Sequence, residues 1–423
     1  MRDETKFSAR SSVEALRAGV PNSYSVRVLG CDQPKVEQVF GDRLDAVIRS
    51  QTYNGFLIKG DFGTGKSHTL GYLAELALER NFAVSRVYVN KETPLHDPVK
   101  MYQGAVESIT LPKRAGPAFN EIANQLVFQS AAYREFERWT NQASNGMDPR
   151  FAASLFLFEH FQADHEFRDQ IIRFWAGGKI AATALKSRMR QAGVPYVAGY
   201  TSQRELAAQR FQFAGRLIRA AGYAGWVLLV DEVELLGTYS ALQRGKSYVE
   251  IARLMNSKAE PGLPVLPVLA ITGDYTRAVL EEKDDWTRIP KLMKSRAAYA
   301  GTGEDVLAEA GMRILAGNGY TLKRPDLAAL DDTFARIRGL YKTAYDWEPA
   351  VTTPLRREQS TPLRAYIRRW ITEWDLRRLH PGEAVELETA EWHTDYRDSE
   401  RSNSKHTGRS DQSLIDDVLG DIA

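Results

Sequence analysis

Short apolar runs and longer stretches of helical period alternate through the first two thirds of this chain. Phe56-Leu57-Ile58 is a brief buried-strand pattern, and "SHTLGYLAELALE" after it places Leu70, Leu73, Leu76 and Leu78 on a helical repeat. "AVSRVYVN" alternates as a second strand over 83–90, Trp226 to Val230 is a continuous apolar run of parallel-strand type, and "VLPVLAIT" predicts a strand over 265–272. Helical periods stand between them: "ARSSVEALRAG" over 9–19, then "DQPKVEQVFGDRLDAVIRS", capped by Asp32 or Gln33 with Pro34 in its first turn. "QRELAAQRFQFAGRLIRAAG" and "SYVEIARLMN" flank the third strand. "DYTRAVLEEKDDWTRIPKLMKSRAAYAG" reads as helix broken at Pro290.

From 302 onward only helical patterns are legible: "GEDVLAEAGMRILAGNGY", "DLAALDDTFARIRGLYKTAY" and "TPLRAYIRRWITEWDLRRL". Strands alternating with helices, then helices alone, predict an α/β protein with a parallel sheet and a C-terminal α-helical lid. The stretch from about 112 to 200 is too long for one crossover and rich in helix formers and aromatics, so it reads as a helical insertion. The expected organisation is an N-terminal helical segment (1–50), a core (51–300) carrying that insertion, a lid (301–390), a polar linker (391–410) and a tail (411–423). In the tail Leu414, Ile415, Val418, Leu419 and Ile422 fall at helical spacing opposite Asp416, Asp417 and Asp421, a pattern that suits a docking peptide or a segment packed on its own domain.

The chemistry starts at "GDFGTGKSHTL". Gly60, Gly65, Lys66 and Ser67 complete the phosphate-loop pattern G-x-x-x-x-G-K-[ST] between a strand and a helix. Gly60, Gly63 and Gly65 leave room for backbone conformations that let N–H groups curl round phosphates, and the helix N-terminus adds partial positive charge. The expected nucleotide-binding set is Gly60, Gly63, Thr64, Gly65, Lys66, Ser67 and His68. Lys66 would reach the β- and γ-phosphates of ATP, and the Ser67 hydroxyl would ligate Mg²⁺.

The run "WVLLVDEVELL" supplies the second half. Asp231 would hold Mg²⁺, and Glu232 would orient and deprotonate the attacking water. Glu234 is a rival base, two positions further from the strand end. Asn90 and Thr272 close two other strands; each suits a simple end cap or a group that senses Glu232 or the γ-phosphate.

Composition narrows the class. The chain of 423 residues is long enough for two or three compact units, with 43% hydrophobic and 26% charged residues. A net charge of +2 gives no global basic field for nucleic acid. Cys31 is the only cysteine, so no intrachain disulfide forms. No apolar run reaches membrane-spanning length and "MRDETKFSAR" is not a signal peptide, so the cytoplasm is the expected compartment. His96 in "PLHDP" has no Cys or His neighbour and reads as part of a turn set by Pro94 and Pro98. "RAYIRRWITEWDLRRL" interleaves Arg and Trp, but Glu373 and Asp375 interrupt the positive face, and Trp370 and Trp374 sit at core spacing. "LKSRMRQAGVP" is a second basic patch without aromatics.

The order strand, P-loop, long gap, apolar run with Asp-Glu, polar strand end and helical lid resembles an AAA+-type ATPase of the origin-recognition and initiator branch. "VEALRAGVPN", "GDFGTGKSHTLGYL" and "VSRVYVNKETPLHDPVK" resemble the BrxD-like P-loop proteins of bacteriophage-exclusion (BREX) and related defence islands. The resemblance spans residues 9 to about 375. It implies an ATPase acting as a switch or motor among the proteins of an anti-phage system, with double-stranded DNA and self-association as candidate partners. It implies Asn90 as the glutamate-switch position, Thr272 as first sensor and Arg364, or Arg368 one turn on, as the arginine near the γ-phosphate. Arg288 and Arg296 are the candidate fingers for a neighbouring subunit. A slow ATP switch that assembles protein partners, without DNA, remains the alternative, as does a regulator of another enzyme.

Overall fold

The computed structural model describes residues 2–383, except 20, 113–117, 200, 257–261, 297–298, 300, 318 and 351–362. The expected linker and the tail 411–423 therefore lie outside the described residues.

Five strands make one parallel sheet: β1 (Phe56–Lys59), β2 (Ala83–Tyr88), β3 (Trp226–Asp231), β4 (Val265–Ile271) and β5 (Tyr320–Thr321). The order is β2-β3-β4-β1-β5. The register sets Tyr88 beside Asp231, and Lys59 beside both Ile271 and Thr321, so the strands end together along one edge. β5 was not legible in the sequence; only two residues long, it pairs with β1 and returns the chain to the sheet.

Alternating side chains build two cores, as the pleat requires. On one face Ile58, Val84, Leu229 and Val268 pack with Phe40 and Leu44 of α3 (Pro34–Ile48) and Leu70 and Leu73 of α4 (Lys66–Glu79). On the other, Val87, Leu228, Val230 and Leu269 meet α5 (Pro98–Glu107), α11 (Gln203–Ala220), α12 (Ala241–Met255) and α14 (Glu304–Ala316). β3 and β4 are buried along their whole length, which is why their sequences are continuous apolar runs.

The long gap between β2 and β3 is filled, after α5, by α6 (Ala118–Asn124), α7 (Ala131–Thr140), α8 (Pro149–His160), α9 (His165–Trp175) and α10 (Ala182–Gln191). Acceptor side chains cap α7, α8 and α9: Ser130, Asp148 and Asp164 each take a backbone N–H of the first turn. Phe151, Trp175 and Phe213 pack ring on ring, and the Tyr102 hydroxyl donates to the Trp175 carbonyl at 2.6 Å, so these helices share one apolar cluster with α5 and the sheet.

A third cluster stands apart. Ala9, Val13 and Leu16 of α1 (Arg2–Ala18) pack with Ile337 and Tyr341 of α15 (Leu327–Tyr345) and with Trp370 and Trp374 of α16 (Leu363–Leu379). The two tryptophans are core residues, and Arg377 pairs with Glu373 on the helix surface. A short helix, α2 (Ser23–Leu29), joins α1 to the core; its N-cap Asn22 accepts from Ser25 N. The expected break at Pro290 falls earlier: α13 (Asp285–Ser295) carries Pro290 in its interior, and the chain turns at Asp284 in the left-handed region, φ 53°. Asp285 is fixed there by Arg244.

Candidate nucleotide site

The site lies where the strands end, the edge at which open parallel sheets bind ligands. The loop from Gly60 to Gly65 leaves β1 and turns into α4. Gly63 and Gly65 take φ of 77° and 96°, conformations that L side chains rarely adopt. Gly60 is needed for close approach instead: a Cβ there would stand 2.5 Å from Thr64 Oγ1. The loop is tied across itself by Thr64 Oγ1 donating to Asp61 O at 2.8 Å and to the sheet by Gly60 N donating to Ile271 O at 3.1 Å. Lys66 is buried and folds back, its Nζ donating to Gly60 O at 3.0 Å. Backbone donors, a helix N-terminus and a lysine are thus concentrated in one cradle.

Topology brings the acidic half beside it. β4 lies between β1 and β3, so Thr272, just past β4, stands between the loop and Asp231. Thr272 is buried, and the next residue, Gly273, approaches Asp61. Asp231, at the end of β3, is 1% exposed; Glu232 follows with φ 59° and ψ 34°, an uncommon backbone state for a non-glycine residue. The strain turns the chain sharply into a 3₁₀ segment, Val233–Thr238. It leaves Glu232 exposed and buries Glu234, whose Oε1 lies 3.5 Å from Lys66 Nζ. Partial desolvation of its carboxyl, then the charge of Asp231, pushes Glu232 above the usual range although the residue as a whole is exposed; burial raises Glu234, opposed by Lys66.

Not every expected residue faces the cradle. The Asn90 side chain accepts from Glu92 N at 2.9 Å and Thr93 N at 2.8 Å, so it holds the loop after β2. His68 is turned back toward α2, its Nε2 2.7 Å from Gly30 O, and burial lowers its pKa. Arg364 donates to Ala18 O at 3.2 Å and Arg368 to Arg17 O at 2.8 Å, both at the end of α1. Arg288 and Arg296 are exposed, within and just after α13.

Two arginines that the sequence reading passed over are at the site. Arg86 sits on the same face of β2 as Val84, the side on which α4 lies. Its Nη2 donates to Asp231 Oδ2 at 3.0 Å and to Ser67 O at 2.9 Å. The single charged residue of β2 was the signal available for it. Arg324, just after β5, pairs with Asp61 at 2.8 Å on the outer rim of the loop.

The donor types suit magnesium. A hydroxyl and a carboxylate are hard oxygen ligands, and one Arg86 nitrogen reaches both the Ser67 backbone carbonyl and the Asp231 carboxylate. Among the described residues no group of three His, Cys, Asp or Glu could hold a metal.

A P-loop cradle at the carboxyl edge of a parallel sheet defines a nucleotide-binding protein of the P-loop NTPase class. The family model for "BREX system ATP-binding protein BrxC/D" matches residues 6–189 and 162–358, most of the chain, and the protein belongs to that family. Membership makes it an ATP-binding member of an anti-phage defence system, with the other proteins of that system as partners. No curated protein and no solved structure matches it. Among the described residues no helix is long and apolar enough to cross a membrane.

Proposed function

We propose that the protein hydrolyses ATP with Mg²⁺ and works in the cytoplasm as an AAA+-type nucleotide-driven switch or motor of its BREX system, with double-stranded DNA as a candidate partner. The observation that carries this reading is the strand order, which sets a buried polar residue, Thr272, between the phosphate loop and the Asp231-Glu232 pair. Lys66 and the loop backbone would bind the phosphates, and Ser67 and Asp231 would hold the metal. Glu232 would take the proton of the attacking water; a carboxyl raised above its usual range is better matched to that task near neutral pH.

The test is ATP turnover by the purified chain, alone and with double-stranded DNA, with Glu232→Gln as control. A rate that rises with DNA and is lost in the variant supports the DNA-coupled reading. Turnover in Glu232→Gln equal to wild type would move the base to Glu234 or to a partner protein. The alternative, a slow switch that assembles partners without DNA, draws support from Lys66 and Asp231, each already paired within the protein. Slow turnover indifferent to DNA would favour it.

A further inference from the structure

Both charged ends of the site are neutralised from inside. On the phosphate side, Lys66 Nζ faces Glu234 Oε1 at 3.5 Å, and each side chain is only 9% exposed. The second carboxylate oxygen of Glu234 is buried with no hydrogen-bond partner among the described residues. On the metal side, Asp231 Oδ1 accepts the Glu232 N–H at 3.0 Å and Oδ2 accepts from Arg86. The Arg86 guanidinium lies 5.0 Å from the Tyr88 ring centroid, and its Nε is likewise buried and unpaired among the described residues.

We propose that Glu234 and Arg86 stand in for the ligand: Glu234 takes the place of a phosphate on Lys66, and Arg86 the place of the cation on Asp231. Nucleotide then enters by exchange. The inference rests on the nucleotide-binding reading of the loop. An incoming phosphate and Glu234 are like charges competing for one ammonium in an enclosed site, where their repulsion is weakly screened. A buried carboxylate stripped of the Lys66 charge is costly, and movement of Glu234 toward solvent relieves that cost.

The movement has a defined path. Glu234 lies in the 3₁₀ segment that runs into Tyr239. The Tyr239 hydroxyl donates to Asn90 O at 3.2 Å, and its ring meets the His96 ring edge-on at 5.2 Å. The Tyr239 carbonyl is held by Arg244 Nη1 at 2.6 Å, and Arg244 is locked to Asp285. With the backbone anchored there, displacement of the turn is felt through the tyrosine ring by the 91–98 loop. That loop carries "KETPLHDP", which otherwise has no role in the site.

ADP is the probe, because it reaches Lys66 without turnover. Binding of ADP to the full chain is measured by calorimetry, with Mg²⁺ absent and then present. Glu234→Gln is expected to bind ADP about tenfold more tightly than wild type without Mg²⁺, roughly 1.4 kcal/mol. Glu232→Gln, whose carboxylate feels Lys66 only at a distance and forms no ion pair with it, changes less than about threefold. Arg86→Met lowers several-fold the Mg²⁺ concentration needed for the metal-dependent gain. Equal tightening by the two glutamate variants would reduce the effect to generic charge removal and overturn the proposal, as would unchanged or weaker binding by Glu234→Gln. Failure of the wild type to bind ADP at all would instead sink the nucleotide-binding reading. Hydrogen exchange on wild type needs no variant: ADP must alter protection at 233–239 and 91–98. Unaltered protection at both segments would refute the exchange.

Discussion

The most heavily buried charges in the molecule give the sharpest test of its architecture. Arg244 and Asp285 are both 0% exposed and meet in a two-pronged pair, Nε to Oδ2 at 2.8 Å and Nη2 to Oδ1 at 2.7 Å. The Tyr248 hydroxyl adds a third bond to Asp285 at 2.7 Å and meets the Tyr275 hydroxyl at 3.0 Å. Asp285→Asn keeps the shape and removes the charge, leaving a guanidinium buried against a neutral amide. Breaking one side of a buried pair costs about 3–5 kcal/mol. At about 2 °C per kcal/mol for a large domain, the thermal midpoint should fall by roughly 6–10 °C, read by circular dichroism or dye-monitored unfolding. Tyr248→Phe, which deletes one bond to a charged group, should cost about 1.5–3 kcal/mol. Arg244→Met combined with Asp285→Leu should recover most of the loss, because hydrophobic replacement of both partners removes the desolvation penalty as well as the attraction. A midpoint shift below about 2 °C for Asp285→Asn, set against the several-kcal cost above, would refute this account of the pair.

Three further outcomes are expected. Lys66→Ala should abolish ADP and ATP binding measured by calorimetry, and unchanged affinity would show that the loop does not hold phosphates. Gly311→Ala should destabilise by about 1–3 kcal/mol in denaturant titration, since its Cβ would be driven into the Tyr248 backbone where α14 crosses α12; a neutral result would mean that the two helices separate freely. Deleting residues 411–423 should leave ATP binding and thermal midpoint unchanged while weakening recruitment of a system partner in co-purification; a lowered midpoint would assign the tail to the fold.

The sheet was legible because its signals are local. The apolar runs of β1, β3 and β4 are buried on both faces, and the P-loop sits directly after β1, so pattern and motif agreed. β5 was missed because two residues carry no period, and α2 because seven residues hold barely two turns. The association of α1 with α15 and α16 joins the two ends of the described chain, and no local pattern encodes such a pairing. At the site, Lys66, Ser67, Asp231, Glu232 and Thr272 came from motif logic. Arg86 and the depth of Glu234 did not, because both depend on which way a side chain points after a strand twists or a turn tightens. For Asn90 the sequence left an end cap and a sensing group open, and the side chain is satisfied by its own loop at Glu92 and Thr93, as an end cap would be.

The position of the inserted helices bears on how a partner could reach this site. They enter between β2 and β3, the two strands that carry Arg86 and Asp231. The helices on either side of them are tied to the sheet: Tyr102 of α5 packs edge-on to Phe211 of α11 at 5.0 Å, and Phe211 stacks on Trp226 of β3 at 5.7 Å. The loop between β2 and α5, residues 89–97, touches Tyr239 through the Asn90 carbonyl and the His96 ring. A partner bound to the insertion and a nucleotide bound to Lys66 would act on the same loop from opposite ends. By linkage, whatever nucleotide does to partner affinity through that loop, the partner must do to nucleotide affinity in equal measure.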